Sequence, residues 1–327
     1  MSKIGIDMID VGKGDAYVVE LRNDADEKFV MVIDGGTSEK SDAVISHIQN
    51  YHGGTVNLAV CTHPDTDHIG GLIELFDNCT VLNLFLNDPR DVISEAVLLE
   101  RARNNLAPDD VRIFKNAFER IDELKAGAAV QGTQHHPITF ASTEPRFAWG
   151  GWNVYILGPS ENLFRDIWLN EDVVRDWFNS DIVDALVAQQ QNSSVLDDPS
   201  IDTKPVNTSS IIILIEGYGK KFLFTGDAGK RALRDAIGVR DISQLTWLDV
   251  PHHGSRRNLD TGIINHLSPE VAYVSSPGTT KHPRRTIIRA LQRSRSKVYS
   301  TCRHGHVYYN SDLPREGWTG LEPWEMV

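Results

Sequence analysis

Thr62-His63-Pro64-Asp65-Thr66-Asp67-His68-Ile69-Gly70-Gly71 follows directly on an apolar run from Val56 to Cys61. The run reads as a buried strand, so two histidines and two carboxylates arrive together at one strand end. Nitrogen and oxygen donors this crowded can hold a divalent metal while leaving positions open for water. Gly70-Gly71 allows a tight turn into a helix starting near His68. A polar loop at a strand end is the plainer reading, and the rest of the chain decides against it.

Two later segments repeat the pattern. Lys221 to Phe224 reads as a strand ending in Thr225-Gly226-Asp227-Ala228, and Leu245 to Val250 as one ending in Pro251-His252-His253-Gly254-Ser255. One carboxylate after a strand is ordinary. Three strand ends offering seven His/Asp donors are hard to explain by packing, and active sites of open α/β sheets gather at such ends. The donors spread over roughly 190 residues, unlike a local zinc knuckle with its closely spaced cysteines.

Composition sets the frame. The chain has 327 residues, 40% hydrophobic and 24% charged, as in a soluble globular protein with length for a real core. Met1 to Asp7 lacks the basic and apolar regions of a signal peptide, and no apolar run approaches the ~20 residues that cross a bilayer. Cys61, Cys79 and Cys302 show no paired spacing and read as reduced, which places the chain in the cytoplasm. A net charge of −12 argues against nonspecific nucleic-acid binding by the whole surface. It leaves phosphate substrates open, because bound cations would offset part of the acidity. The one dense basic stretch, Lys281 to Lys297, is either the solvated face of an amphipathic helix or a phosphate-facing rim.

The pattern is α/β throughout. Ile4 to Ile9, Ala16 to Leu21 and Phe29 to Ile33 read as strands, and Ser41 to Tyr51 as an amphipathic helix. Residues 91–205 read as a mainly helical insertion within a single domain, 1–327, interrupted by a strand from Trp152 to Leu157. Its second helical stretch runs from Glu161 to Gln189, and Gln190 to Pro205 reads as a loop or mobile lid. Asp34 reads as a turn-former, Asp15 as a support behind the site, and His135-His136 as a surface pair. His304 and His306 read as strand-exposed.

The chain resembles the metallo-β-lactamase-fold hydrolases, in particular the soluble hydrolase domain of the competence family ComEC. The resemblance rests on Asp10-Val11-Gly12-Lys13-Gly14-Asp15-Ala16, Val32-Ile33-Asp34-Gly35-Gly36, the His63 cluster, Leu157-Gly158-Pro159, Asn207 with Ser209-Ser210, the Asp227 and His252 segments, and His282-Pro283. It implies a four-layer αββα sandwich carrying the helical insertion. It also implies two divalent metal ions, Zn²⁺ or Mn²⁺. His63 and Asp65 would serve the first metal, Asp67 and His68 the second, and Asp227 would bridge them. His252 is the expected further ligand of the second metal, with His253 behind it or touching substrate. Asn207 stands where common members carry a third histidine, and oxygen-rich ligation favours harder ions such as Mn²⁺. Lys13, where relatives often carry Gln, either faces solvent or meets a phosphate oxygen.

The implied chemistry is hydrolysis by a metal-activated hydroxide, with Asp67 as proton acceptor and His253 or His282 stabilising or protonating the leaving group. The expected substrate is a phosphodiester, DNA or RNA. The alternatives are a small phosphodiester, or a lactone or amide hydrolysed by the same fold. No membrane association is expected, and the helical insertion offers a surface for a protein partner or self-association.

Overall fold

The computed structural model describes residues 3–105, 108–137, 139–169, 196–197, 202–203, 205–279, 281–309, 313 and 323–324. The first sheet is built from β1 (Lys3–Met8), β2 (Tyr17–Arg22), β3 (Lys28–Ile33), β5 (Leu58–Cys61), β7 (Asn83–Leu86), β8 (Gln134–His136) and β16 (Val307–Tyr309), in the order β16-β1-β2-β3-β5-β7-β8. The second contains β9 (Phe147–Trp149), β10 (Trp152–Gly158), β11 (Ile212–Gly217), β12 (Lys220–Phe224), β13 (Trp247–Asp249), β14 (Val271–Val274) and β15 (Lys297–Ser300), in the order β15-β14-β13-β12-β11-β10-β9. Each sheet is antiparallel on one side and parallel on the other, and β5, β12 and β13 all lie in parallel pairings.

Alternation along the strands explains the layering. Tyr17, Val19 and Leu21 of β2 meet Trp152, Phe222, Phe224 and Trp247 of the second sheet. Val18 belongs instead to the apolar layer beneath the helices. Both faces of both sheets are therefore buried, which is why the strands read as near-continuous apolar runs. The helices that matter to the site are α1 (Ser41–His52), α2 (Thr66–Asn78), α3 (Glu95–Asn105), α4 (Pro108–Gln131), α5 (Glu161–Leu169), α6 (Lys230–Val239), α7 (Thr261–Leu267) and α8 (Arg285–Arg293). Among the described residues no helix is long and apolar enough to cross a membrane.

Several boundaries differ from expectation. Val56 to Cys61 is not one strand: Thr55–Val56 (β4) pairs with Thr80–Val81 (β6), and Asn57 turns its side chain to accept from Val30 N at 2.7 Å before β5 begins. α2 starts at Thr66, with Asp65 extended at its N-cap. Residues 91–205 are helical through α3 and α4, yet β8 extends the first sheet while β9 and β10 belong to the second. That segment is therefore woven into both sheets. His135 and His136 lie half-buried in β8, and the His136 ring meets Phe85 edge-on at 5.1 Å. Of the expected Glu161–Gln189 helix, α5 is described to Leu169 and the rest lies outside the described residues, as does most of 190–205. Asp202 and Thr203 of that segment are held down: Asp202 accepts from the backbone N of Lys230 at 2.9 Å and of Arg231 at 3.0 Å, placing a carboxylate at the positive end of α6.

Candidate metal centre

His63 leaves the end of β5, and Asp67 and His68 ride the first turn of α2. That turn is seated by glycine. A Cβ on Gly71 would stand 1.9 Å from the Gly35 carbonyl oxygen, so only a bare backbone lets α2 approach the 34–36 turn. Backbone bonds from Gly35 N to His68 O and from Gly71 N to Gly36 O, both 2.9 Å, close the contact. Asp34 then lies under the site. Its carboxylate accepts from Thr62 N at 2.8 Å and Thr62 Oγ1 at 2.6 Å, and it faces His68 Nδ1 at 2.8 Å. With Nδ1 occupied, His68 points Nε2 at Asp227 Oδ1, 3.4 Å away.

Asp227 is presented by the turn after β12. Asp249 Oδ2 accepts from Thr225 N at 3.0 Å and Gly226 N at 3.2 Å, Ser210 Oγ accepts from Asp227 N at 3.2 Å, and Asn207 Nδ2 donates to Asp227 Oδ2 at 2.9 Å. The two carboxylate oxygens then face different rings. Oδ1 meets His68, whereas Oδ2 lies 3.8 Å from His63 Nε2 and 3.6 Å from His252 Nε2.

His252 and His253 adopt consecutive left-handed conformations, φ 52° and 56°. Each costs a non-glycine residue about 1 kcal/mol or more. Together they turn both neighbouring side chains into one cavity, ring centroids 5.7 Å apart, where a regular strand would send them to opposite faces. His253 Nε2 lies 3.6 Å from Asp67 Oδ2, with Nδ1 3.3 Å from Asp15 Oδ1. The Nδ1 of His252 meets Asn258 Oδ1 at 3.2 Å and Thr203 Oγ1 at 3.1 Å. His253, rather than the expected His252, lies beside Asp67 and His68.

The electrostatics match a site built for cations. Burial opposes ionisation of Asp67, but His253, His68 and Lys13 hold it well below the usual carboxylate range. Asp227, also buried, is held well below it by His252, His68 and His253. His68 is raised well above the usual imidazole range against its burial, chiefly by Asp227 and Asp34. His253, equally buried, is raised to about 10 by Asp15 and Asp227. Without a metal, protons on imidazoles balance the carboxylates; divalent cations can replace them. The Nε2 atoms of His63, His68 and His253, Asp227 Oδ1 and Asn207 Oδ1 are buried and make no hydrogen bond. Donor separations of 3.4–3.8 Å are close to the ~3.3 Å edge of a tetrahedron with bonds of about 2.0–2.1 Å. The residues therefore fit the metals expected of them.

The remaining expectations divide. Asp65 is half-exposed, with Oδ2 3.8 Å from His63 Nε2. Lys13 Nζ is 3.0 Å from Asp67 Oδ2, at the mouth of the site. The His282 ring lies 5.3 Å from that of His252, and burial, then His252 and His253, push its pKa down to about 2. His306 instead accepts from Asp10 N at 2.8 Å, and His304 turns back to Ser300. Asp34 holds Thr62 and His68 in place as well as forming a turn. Ser210 stands out in the sequence only as a landmark, and Thr203, Asp249 and Asn258 are not singled out by the sequence. All are ordinary polar residues whose importance comes only from what the fold sets beside them.

Residues 9–83 match the model of the Metallo-beta-lactamase superfamily. ComE operon protein 3 of Bacillus subtilis (strain 168) is 27% identical over 128 residues, covering 38% of this chain and 16% of that protein. Recombination protein 2 of Haemophilus influenzae is 29% identical over 136 residues, 40% of this chain and 17% of that protein. The matches thus take in about a sixth of either relative's length. Among solved structures, CmlA, a diiron beta-hydroxylase from Streptomyces venezuelae, aligns with a TM-score of 0.45 at 12% identity, covering 93% of this chain and 54% of that one. With its two facing sheets, its flanking helices and its His/Asp cluster at the strand ends, the chain is a metallo-β-lactamase-fold protein of ComEC-like sequence.

Proposed function

We propose that the chain is a hydrolase that binds two divalent cations, Zn²⁺ or Mn²⁺, and cleaves phosphodiesters, with DNA or RNA as substrate. One observation carries this reading: four imidazole Nε2 atoms converge on the carboxylates of Asp227 and Asp67. His63, Asp65, His252 and Oδ2 of Asp227 would hold one cation. Asp67, His68, His253 and Oδ1 of Asp227 would hold the other. His252 then takes the place of the third histidine that common family members supply, and Asn207 braces Asp227.

Bound cations would supply Lewis acidity and bring the pKa of water towards neutrality. The protein's own groups do the remaining work. Asp34 and Asp15, beside Nδ1 of His68 and His253, set those rings with Nε2 inward and raise their basicity. Lys13 loses its hold on Asp67 once that carboxylate is a ligand, and its ammonium is placed to meet a phosphate oxygen. His282, kept neutral by burial, is a poor proton donor at pH 7. Its role is a hydrogen bond to the departing oxygen.

The name of one relative, a recombination protein, is consistent with a nucleic-acid substrate. The test is turnover of single-stranded DNA and of bis-(p-nitrophenyl) phosphate by the Mn²⁺- or Zn²⁺-loaded chain, abolished by Asp67→Ala. Stoichiometric metal with turnover of a lactone or amide and of neither phosphodiester would refute the reading.

A further inference from the structure

Residues 271–311 contain eight Lys or Arg and no Asp or Glu, in a chain whose net charge is −12. α8 lies within this stretch. Its Ile287, Ile288 and Leu291 are buried, while Arg285, Arg289 and Arg293 are exposed. These arginines fall at i, i+4 and i+8, so they form a row stepping about 6 Å at a time along the helix axis. A stacked strand advances about 3.4 Å per phosphate. The row can therefore meet every second phosphate of a stacked strand, or successive ones of a stretched strand.

The row begins at the metal centre. Arg284 N donates to Gly254 O at 3.0 Å, immediately after the His252-His253 turn. Farther along, Arg289 and Arg293 line a cavity of about 370 Å³ between α7 and α8, with Thr261, Asn265, Thr286 and Asp197. One Asp197 oxygen is already engaged by Thr261 N at 2.9 Å. No ion pair to a carboxylate engages Arg285, Arg289 or Arg293 among the described residues. α8 also exposes no large apolar side chain, which a membrane-lying helix would need.

We infer that α8 is a track for a single-stranded polynucleotide, with the α7–α8 cavity as a phosphate subsite remote from the cut. The inference rests on the phosphodiesterase reading and extends it, making the substrate a polymer that approaches along one defined face.

The test is equilibrium binding of a fluorescent single-stranded oligonucleotide to the full chain in chelator, across a salt series, so that no hydrolysis is involved. Arg289→Glu with Arg293→Glu is compared with Lys28→Glu with Lys40→Glu, an equal charge change on exposed lysines elsewhere. The arginine pair should weaken binding at least tenfold and flatten the log–log salt slope by about 1.4, two contacts at about 0.7 each. The lysine pair should leave both unchanged. Should the double reversal fail to fold, Arg289→Gln with Arg293→Gln must still flatten the slope. Equal effects from the two pairs, no effect from either, or binding to phosphatidylserine vesicles but not to the oligonucleotide would overturn the track. A chain that binds along α8 but cleaves no phosphodiester would refute the enzyme reading and leave the track standing.

Discussion

Tyr17 donates its hydroxyl to Oδ1 of Asp249 at 2.5 Å, and the bond crosses from β2 in the first sheet to β13 in the second. The other Asp249 oxygen receives Thr225 N and Gly226 N, the two amides just before Asp227. A single buried carboxyl group thus ties the sheets together and fixes the turn that presents Asp227. Burial and the neighbouring charge of Asp15 push its pKa up to about 8.

Asp249→Ala leaves two buried amides unpaired, at about 1–3 kcal/mol each. It should also lower metal affinity about 10–100-fold by loosening Asp227. Asp249→Asn keeps a carbonyl oxygen towards Thr225 and Gly226 and turns its amide to Tyr17, so metal affinity should fall little. Metal titration of the two variants checks this. Equal losses from both would show that holding Thr225 and Gly226 is not what sets metal affinity.

Much of this was legible in the chain. The His63 cluster, Asp227 and the His252-His253 pair announced themselves because metal-binding residue types stood in glycine-bearing turns after apolar strands. The strand pattern itself was clear because both sheet faces are buried. Which carboxylates His252 and His253 each face was not legible, since it depends on two left-handed residues that no local propensity favours. Nor was the weaving of 91–205 into both sheets. Gln134–His136 and Phe147–Trp149 are three residues each, too short for a period to emerge, and only pairing with β7 and β10 makes them strands.

Gly71→Ala tests the seat of α2. The added methyl would collide with backbone rather than with a movable side chain, so the cost should reach or exceed the upper end of the ~1–3 kcal/mol typical of overpacking. Denaturant unfolding should show a lower midpoint, with metal binding weakened in parallel because Asp34 no longer sits squarely under His68. Gly53→Ala is the comparison: its Cβ would meet nothing within 4 Å, so only the left-handed φ of 67° should be felt, at about 1 kcal/mol. A Gly71→Ala protein as stable as Gly53→Ala would remove close approach as the explanation.

Stability should depend on pH in opposite ways with and without metal. His253 titrates near 10 in the folded metal-free chain, against an ordinary value near 6.5. The folded state therefore holds a proton that the unfolded state releases between these values. That stabilisation is complete below about pH 6.5 and is lost as pH rises towards 10. Asp249, raised to about 8, acts in the same direction between about pH 4 and 8. In chelator the urea midpoint should fall from pH 6.5 to 9.5. Metal must expel the His253 proton to bind, so metal affinity should climb over the same range. A metal-free midpoint that stays level or rises would contradict the protonated state assigned to this ring.

The two adjacent histidines should separate in a metal count. If His252 shares Oδ2 of Asp227 with His63, and His253 stands with Asp67 and His68, each alanine variant should lose one ion while retaining the other. Asp227→Ala, which removes both oxygens, should lose the pair. Each retained site keeps two imidazoles and two carboxylates: His63, His252, Asp65 and Asp227 in the His253→Ala protein, and His68, His253, Asp67 and Asp227 in the His252→Ala protein. Elemental analysis gives the count. Were His252→Ala to retain both ions while His253→Ala lost one, His252 would be a residue of the rim, and the first cation would depend on Asn207 after all.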